Sequence, residues 1–131
     1  MEGQLSFPTI EKNGWALVSA EERAAAAPAT FIIPSRAVRE SLSSGDAAKL
    51  LFDIETREGG RVIDRGVDRM WVIIKAKTVG GYIGVLDNDP GHPENLMLQE
   101  GALVLFRPEH VADVAQPPRH YIVGKYGESF F

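Results

Sequence analysis

The chain has no cysteine among its 131 residues. That one absence excludes a disulfide framework, a thiolate zinc site, an iron–sulfur cluster and a cysteine nucleophile. Long apolar runs are missing too, and none approaches the roughly 20 residues that a membrane-crossing helix needs. The opening Met1-Glu2-Gly3-Gln4-Leu5-Ser6 has neither the basic stretch nor the apolar stretch of a secretory leader. The expectation is a soluble, cytoplasmic protein with no membrane partner. Positive charge is also short: 14 Lys and Arg stand against 18 Asp and Glu, a formal net charge of −4. Binding through phosphates needs a basic surface, and no basic cluster is visible, so no nucleic-acid partner is expected. Lys75 and Lys77 alternate along one stretch and read as a solvated strand edge.

What remains is ordinary globular material. A hydrophobic share of 44% and a charged share of 24% argue against wholesale disorder. The length suits one unit with a core that needs no staples. Its centre is legible as two apolar runs, Arg69-Met70-Trp71-Val72-Ile73-Ile74-Lys75-Ala76-Lys77 and Tyr82-Ile83-Gly84-Val85-Leu86, joined across Gly80-Gly81. Apolar residues on both faces mark central or doubly covered strands.

Around that centre the pattern predicts the remaining elements. Residues 1–30 read as a lead-in with a peripheral helix, in which Ser19 and Glu22 form a capping box ahead of Arg23–Ala27 and Pro28 ends the run. Residues 31–131 read as one α+β domain. Thr30–Ile33 predicts a short strand, and Ser35 caps a brief helix with Val38 and Leu42 on one face. From Asp46 to Glu55 apolar residues alternate, with Ala48, Leu50, Phe52 and Ile54 on one side, and this predicts a half-buried strand. Arg57–Gly66, charged and glycine-rich, reads as an exposed hairpin loop. Pro93–Leu98 predicts a helical turn and Ala102–Phe106 a strand. Pro108 begins a helix with Val111, Val114 and Ala115 inward, and His120–Val123 makes a final strand before an aromatic tail. Leu42-Ser43-Ser44-Gly45 before Ala48-x-Leu50 echoes Leu98-Gln99-Glu100-Gly101 before Val104-x-Phe106. Either internal duplication or the general preference for glycine after a helix accounts for that echo. The fold class expected is α+β: a strongly curved, barrel-like, mainly antiparallel small sheet with short flanking helices.

One resemblance accompanies these patterns. Met70-Trp71-Val72, then Gly84-Val85-Leu86-Asp87-Asn88-Asp89-Pro90, then Leu98 and Gly101 leading to Phe106, resemble small bacterial domains of the type named domain of unknown function 2314. More loosely, the stretch is similar to a related family that includes predicted toxin-immunity proteins. Ala102 stands where that pattern prefers an acidic residue. The resemblance implies a small curved-sheet domain and carries no activity with it.

The candidate ligand-binding residues are Asp87, Asn88, Asp89 and His92, two carboxylates, an amide and an imidazole within six residues. Asp, Asn, Pro and Gly are equally what a tight turn needs, and the spacing is not that of a calcium loop. No metal set and no cofactor are therefore expected. His92, His110 and His120 are not spaced as a catalytic group, and no serine sits in a nucleophile elbow. Gly59-Gly60 and Gly80-Gly81 read as hairpin glycines rather than phosphate loops. Trp71 reads as core, whereas Trp15 either pins the lead-in or stands exposed. The preferred reading is a non-catalytic module that binds an unknown protein or peptide. The alternatives are a toxin-immunity-type protein and a hydrolase using the Asp87–His92 loop. A weak homodimer through the terminal aromatics or an open sheet edge completes the partner expectations.

Overall fold

A computed structural model describes residues 5–88 and 98–131. Six antiparallel strands curl into a half-barrel flanked by short helices, an α+β architecture of the expected kind. The chain runs through α1 (Ile10–Asn13), β1 (Trp15–Val18), α2 (Ala20–Ala26) and α3 (Arg36–Glu40). Then come β2 (Ala47–Glu58), β3 (Arg61–Thr78), β4 (Gly81–Leu86), β5 (Leu103–Phe106), β6 (Val111–Ala115) and α4 (Arg119–Tyr126).

Strand β2 is the spine. It pairs with β3 along its whole length, while its other edge is shared end to end, β6 against Ala47–Leu50 and β1 against Leu51–Ile54. The far side of the sheet runs β3–β4–β5. Laid flat, the sheet would hold β5 and β6 four strand spacings apart, about 19 Å. The five peptide steps from Phe106 to Val111 reach only about 17 Å at full extension, and three of the linking residues, Pro108–His110, are coiled in a 3-10 turn. The curl follows from that short link.

The alternation read from the sequence fixes the inner face. Ala48, Leu50, Phe52 and Ile54 are each at most 2% exposed, and Val104 and Phe106 meet them from β5. Trp15 enters the same core against Phe52, ring centroids 5.5 Å apart, and so pins the lead-in to the sheet. The outer face is covered twice. Ala47, Ile73 and Val85 lie under Ile122 and Phe130, with Trp71 and Tyr126 packed at the margin. Leu51, which alternation assigns to the polar side, is buried with Ala20 of α2 and Ala112. The aromatic tail thus docks on this chain's own sheet through Tyr126 and Phe130.

The helix starts expected at Ser19 and Ser35 are present, each hydroxyl accepting an amide N–H, from Glu22 at 3.1 Å and from Val38 at 3.3 Å. In α3, however, the buried residue is Arg39 rather than Val38. Its Nε donates to the Pro34 carbonyl and an Nη to the Pro108 carbonyl, both at 2.9 Å, and it pairs with Glu21. One guanidinium therefore ties α2, the approach to α3 and the 3-10 turn together.

Several expectations are corrected. Thr30–Ile33 is irregular, with Ile32 exposed and Phe31 lying under the Arg69 guanidinium at 5.3 Å. Arg57–Gly66 is not a loop: β2 and β3 continue to a two-residue turn at Gly59-Gly60, so a twisted ribbon projects from the sheet. Its charges make strand pairing tolerable in water, as Arg65 bridges to Asp53 at 3.0 Å across the ladder. Val111–Ala115 is strand β6, not helix, and His120–Val123 lies within helix α4, not a strand. The helical turn expected at Pro93–Leu98 lies, apart from Leu98, outside the described residues.

The sequence echo has a structural counterpart. Gly45 and Gly101 both sit at positive φ, +93° and +91°, where a side chain would be strained. Each donates its N–H to a neighbouring strand, to Ile74 and Leu86 respectively, at 2.8 Å. The residue after each glycine accepts the return bond, Asp46 from Ile74 and Ala102 from Leu86. The same turn chemistry starts both β2 and β5.

Candidate functional site

Of the residues singled out from sequence, Asp87 and Asn88 lie at the end of β4, while Asp89 and His92 lie outside the described residues. Both described residues are engaged inside the chain. The Asp87 amide donates to the Trp71 carbonyl at 2.9 Å, and the Asn88 side-chain carbonyl accepts the Trp71 N–H. These bonds extend the β3–β4 pairing past its last strand residue.

The Asp87 carboxylate faces helix α4 and accepts three bonds from it: Tyr121 Oη at 2.7 Å, Lys125 Nζ at 2.8 Å, and Tyr126 Oη. Lys125 also reaches Glu100 at 2.9 Å. Burial pushes the Asp87 carboxyl up, yet the bonds from Lys125, Tyr126 and Tyr121 outweigh it and leave the group below its ordinary value. The bonds to Asp87 and Glu100 hold the Lys125 ammonium well above its usual range. Burial, then the bond to Asp87, raises Tyr126, and the bond to Asp87 raises Tyr121. These directions keep Asp87 ionised and Lys125, Tyr121 and Tyr126 protonated at neutral pH. The cluster latches helix α4 to the end of β4. Sequence reasoning missed it because it placed Tyr121 on a strand; a helix after Pro118 brings Tyr121 and Lys125, four apart, onto one face.

A second constellation, unforeseen in the sequence, lies at the opposite end of β4. There α2, α3, the β3–β4 turn and the 3-10 turn enclose an open cleft of about 500 Å³. Six charged residues line it: Glu21, Arg36, Glu40, Lys77, Arg107 and Glu109. Gly81, at the cleft end of β4, lies hard against the β5 backbone: a Cβ there would stand 2.3 Å from the Phe106 carbonyl oxygen. That close approach seats the start of β4 against the end of β5.

No family model, curated protein or solved structure matches the chain.

The cleft has to be read from its own chemistry. Its carboxylates are largely neutralised from within. Glu21 is held by Arg39 from behind and by Arg36 at 3.5 Å, and Glu40 by Arg36 at 2.8 Å. The Arg39 hydrogen bond lowers the Glu21 carboxyl below its usual range, against the opposing effect of burial. The cations are less occupied. Arg107 lies 3.9 Å from Glu109 and stacks on the Phe7 ring at 4.4 Å. Lys77 has no ion-pair partner among the described residues. His110, the last residue of the 3-10 turn, accepts the Arg107 N–H on Nδ1 at 2.9 Å, and burial lowers its pKa. Among the described residues no three His, Asp or Glu side chains stand together as a metal site. No helix of the described residues is long and apolar enough to cross a membrane.

Proposed function

We propose that this protein is a non-catalytic binding module that takes a protein or peptide segment into the cleft between α2, α3 and the two turns. The observation that carries the reading is the cleft's lining: charges of both signs on four separate elements, around a volume of about 500 Å³. A site of that volume is within the range of ligand pockets, which are mostly apolar. Here the wall is ionic, which favours a polar, hydrogen-bonding occupant such as a polypeptide. Its carboxylates are satisfied by arginines instead of facing a nucleophile, so the arrangement suits recognition better than acid–base chemistry. Kinship with domain of unknown function 2314 belongs to the same proposal and brings no reaction with it.

The test is selection of binding peptides from a random-sequence display pool against the full chain, repeated with Thr78→Trp, which plugs the cleft from the β3–β4 turn. Selected peptides should lose binding to the plugged variant while its thermal midpoint stays unchanged. Peptides that bind both forms equally, or a pool that yields no binder, would count against the reading.

A further inference from the structure

We infer that the segment this cleft takes is acidic, an extended stretch whose carboxylates are held by Lys77 and Arg107; the inference rests on the binding-module reading above. Counting Arg39 behind Glu21, four cationic side chains face three carboxylates in and under this cleft, on a chain whose formal net charge is −4. The excess positive charge is therefore local, and it is concentrated on the two cations with the weakest internal partners.

Their placement suits a polypeptide. Lys77 stands opposite Tyr82 across the β3–β4 ladder, and Tyr82 opposite Phe106 across β4–β5. Arg107 follows Phe106, so the two cations start about two strand spacings, roughly 10 Å, apart. Alternate residues of an extended chain put side chains on one face about 7 Å apart. Two carboxylates at such positions come within reach of the flexible Lys and Arg side chains together. A charge-assisted bond to each is the strong class of hydrogen bond, and Arg107 is already oriented by its stacking on Phe7. Arg36 adds little, because Glu40 and Glu21 already occupy it.

The experiment titrates the isotope-labelled full chain, followed by amide resonances, with hexaglutamate, hexalysine, a neutral glycine–serine hexapeptide and free glutarate. The expected result is saturable movement of the Gly80, Gly81 and Tyr82 amides with hexaglutamate, weakening as salt rises. Lys77→Glu and Arg107→Glu should each weaken that binding about tenfold or more, a loss of about 1.4 kcal/mol, and Lys77→Gln should weaken it by less. Lys77 is exposed, so its variants test the idea without threatening the fold. Cleft resonances that move with the neutral or basic peptide and not with hexaglutamate would overturn the acidic-segment inference alone. Glutarate binding as tightly as hexaglutamate would also overturn it, in favour of a small dicarboxylate. No movement at the cleft with any peptide would defeat both this inference and the binding-module reading.

Discussion

Replacing Asp87 by Asn should loosen α4 from the sheet by an amount that the geometry bounds. The carboxylate is nearly buried, its side chain 10% exposed, whereas Lys125 is 34% exposed and keeps Glu100 as a partner. Three charge-assisted bonds are lost or weakened, each of the class worth about 1.5–3 kcal/mol. They do not add in full. Lys125 falls back on Glu100 and water, and Tyr121, exposed at the surface, rehydrates at little cost. Tyr126, half-buried, loses most. The net cost should be about 2–3 kcal/mol, a large part of the 5–15 kcal/mol that holds a typical domain. For a chain of this length that corresponds to a fall of about 10 °C in the thermal midpoint.

Two assays check it. Urea unfolding gives the stability difference. Spectrophotometric titration of the tyrosines tests the cause: all three tyrosines titrate above their ordinary value of 10.0, Tyr121 and Tyr126 partly because of Asp87, Tyr82 through burial. In Asp87→Asn the first two should fall and Tyr82 should stay, serving as an internal reference. The acid side follows from linkage. Because the folded Asp87 pKa lies below its ordinary 3.8, its contribution is present above that value and fades as pH falls through the folded pKa. A variant within about 0.5 kcal/mol of the parent, with all three tyrosines unmoved, would refute the latch.

Phe52→Ala removes a ring with no exposed surface at the centre of β2 and should cost about 3–5 kcal/mol in urea unfolding. Gly81→Ala drives a Cβ to 2.3 Å from the Phe106 carbonyl; it should destabilise by about 1–3 kcal/mol and shift the Arg107 amide resonance as β5 moves away. His110 accepts the Arg107 N–H only when neutral, and burial lowers its pKa from 6.5. Stability should therefore be full above pH 6.5 and decline as pH falls through the folded value, a decline that His110→Gln removes.

The spine of the fold was legible because β2 obeys a strict period of two wherever it faces the main core. Strand β6 was not, and the reason is a single extra residue. Val111 pairs with Leu50, Asp113 with Lys49 and Val114 with Ala48, so Ala112 is a bulge. The bulge puts Val111 and Val114 on the same inward face three residues apart, and three apart is a helical spacing. Helix α4 was misread the other way. Tyr121-Ile122-Val123 favours a strand locally, but Ile122 and Tyr126, four apart, pack against the outer face of the sheet, and tertiary packing overrides a weak preference. The projecting ribbon was hidden because charge and glycine suggest a loop, whereas Arg65 on β3 pairs with both Asp53 and Glu55 on β2.

The same logic explains why sequence pointed to one end of β4 and chemistry collects at both. Asp87-Asn88-Asp89 attracts attention because polar groups cluster along the chain. The cleft residues Glu21, Arg36, Lys77 and Arg107 are each an ordinary surface charge in the sequence, and only the packing of α2, α3 and the 3-10 turn around the β3–β4 turn gathers them. Strand β4 spans six residues between the cleft at Gly81 and the latch at Asp87, about 20 Å. That separation exceeds the screening length of about 8 Å at physiological salt, so the ionic state of one end is not transmitted to the other through solvent. What connects them is the buried strand itself, Tyr82 and Val85 to Leu86, whose packing is close and whose ends are both fixed by hydrogen bonds. The Asp87 cluster holds α4 against one end of β4, while the cleft cations belong to the neighbouring strands at its other end, Lys77 on β3 opposite Tyr82 and Arg107 just past Phe106, which faces Tyr82 from β5.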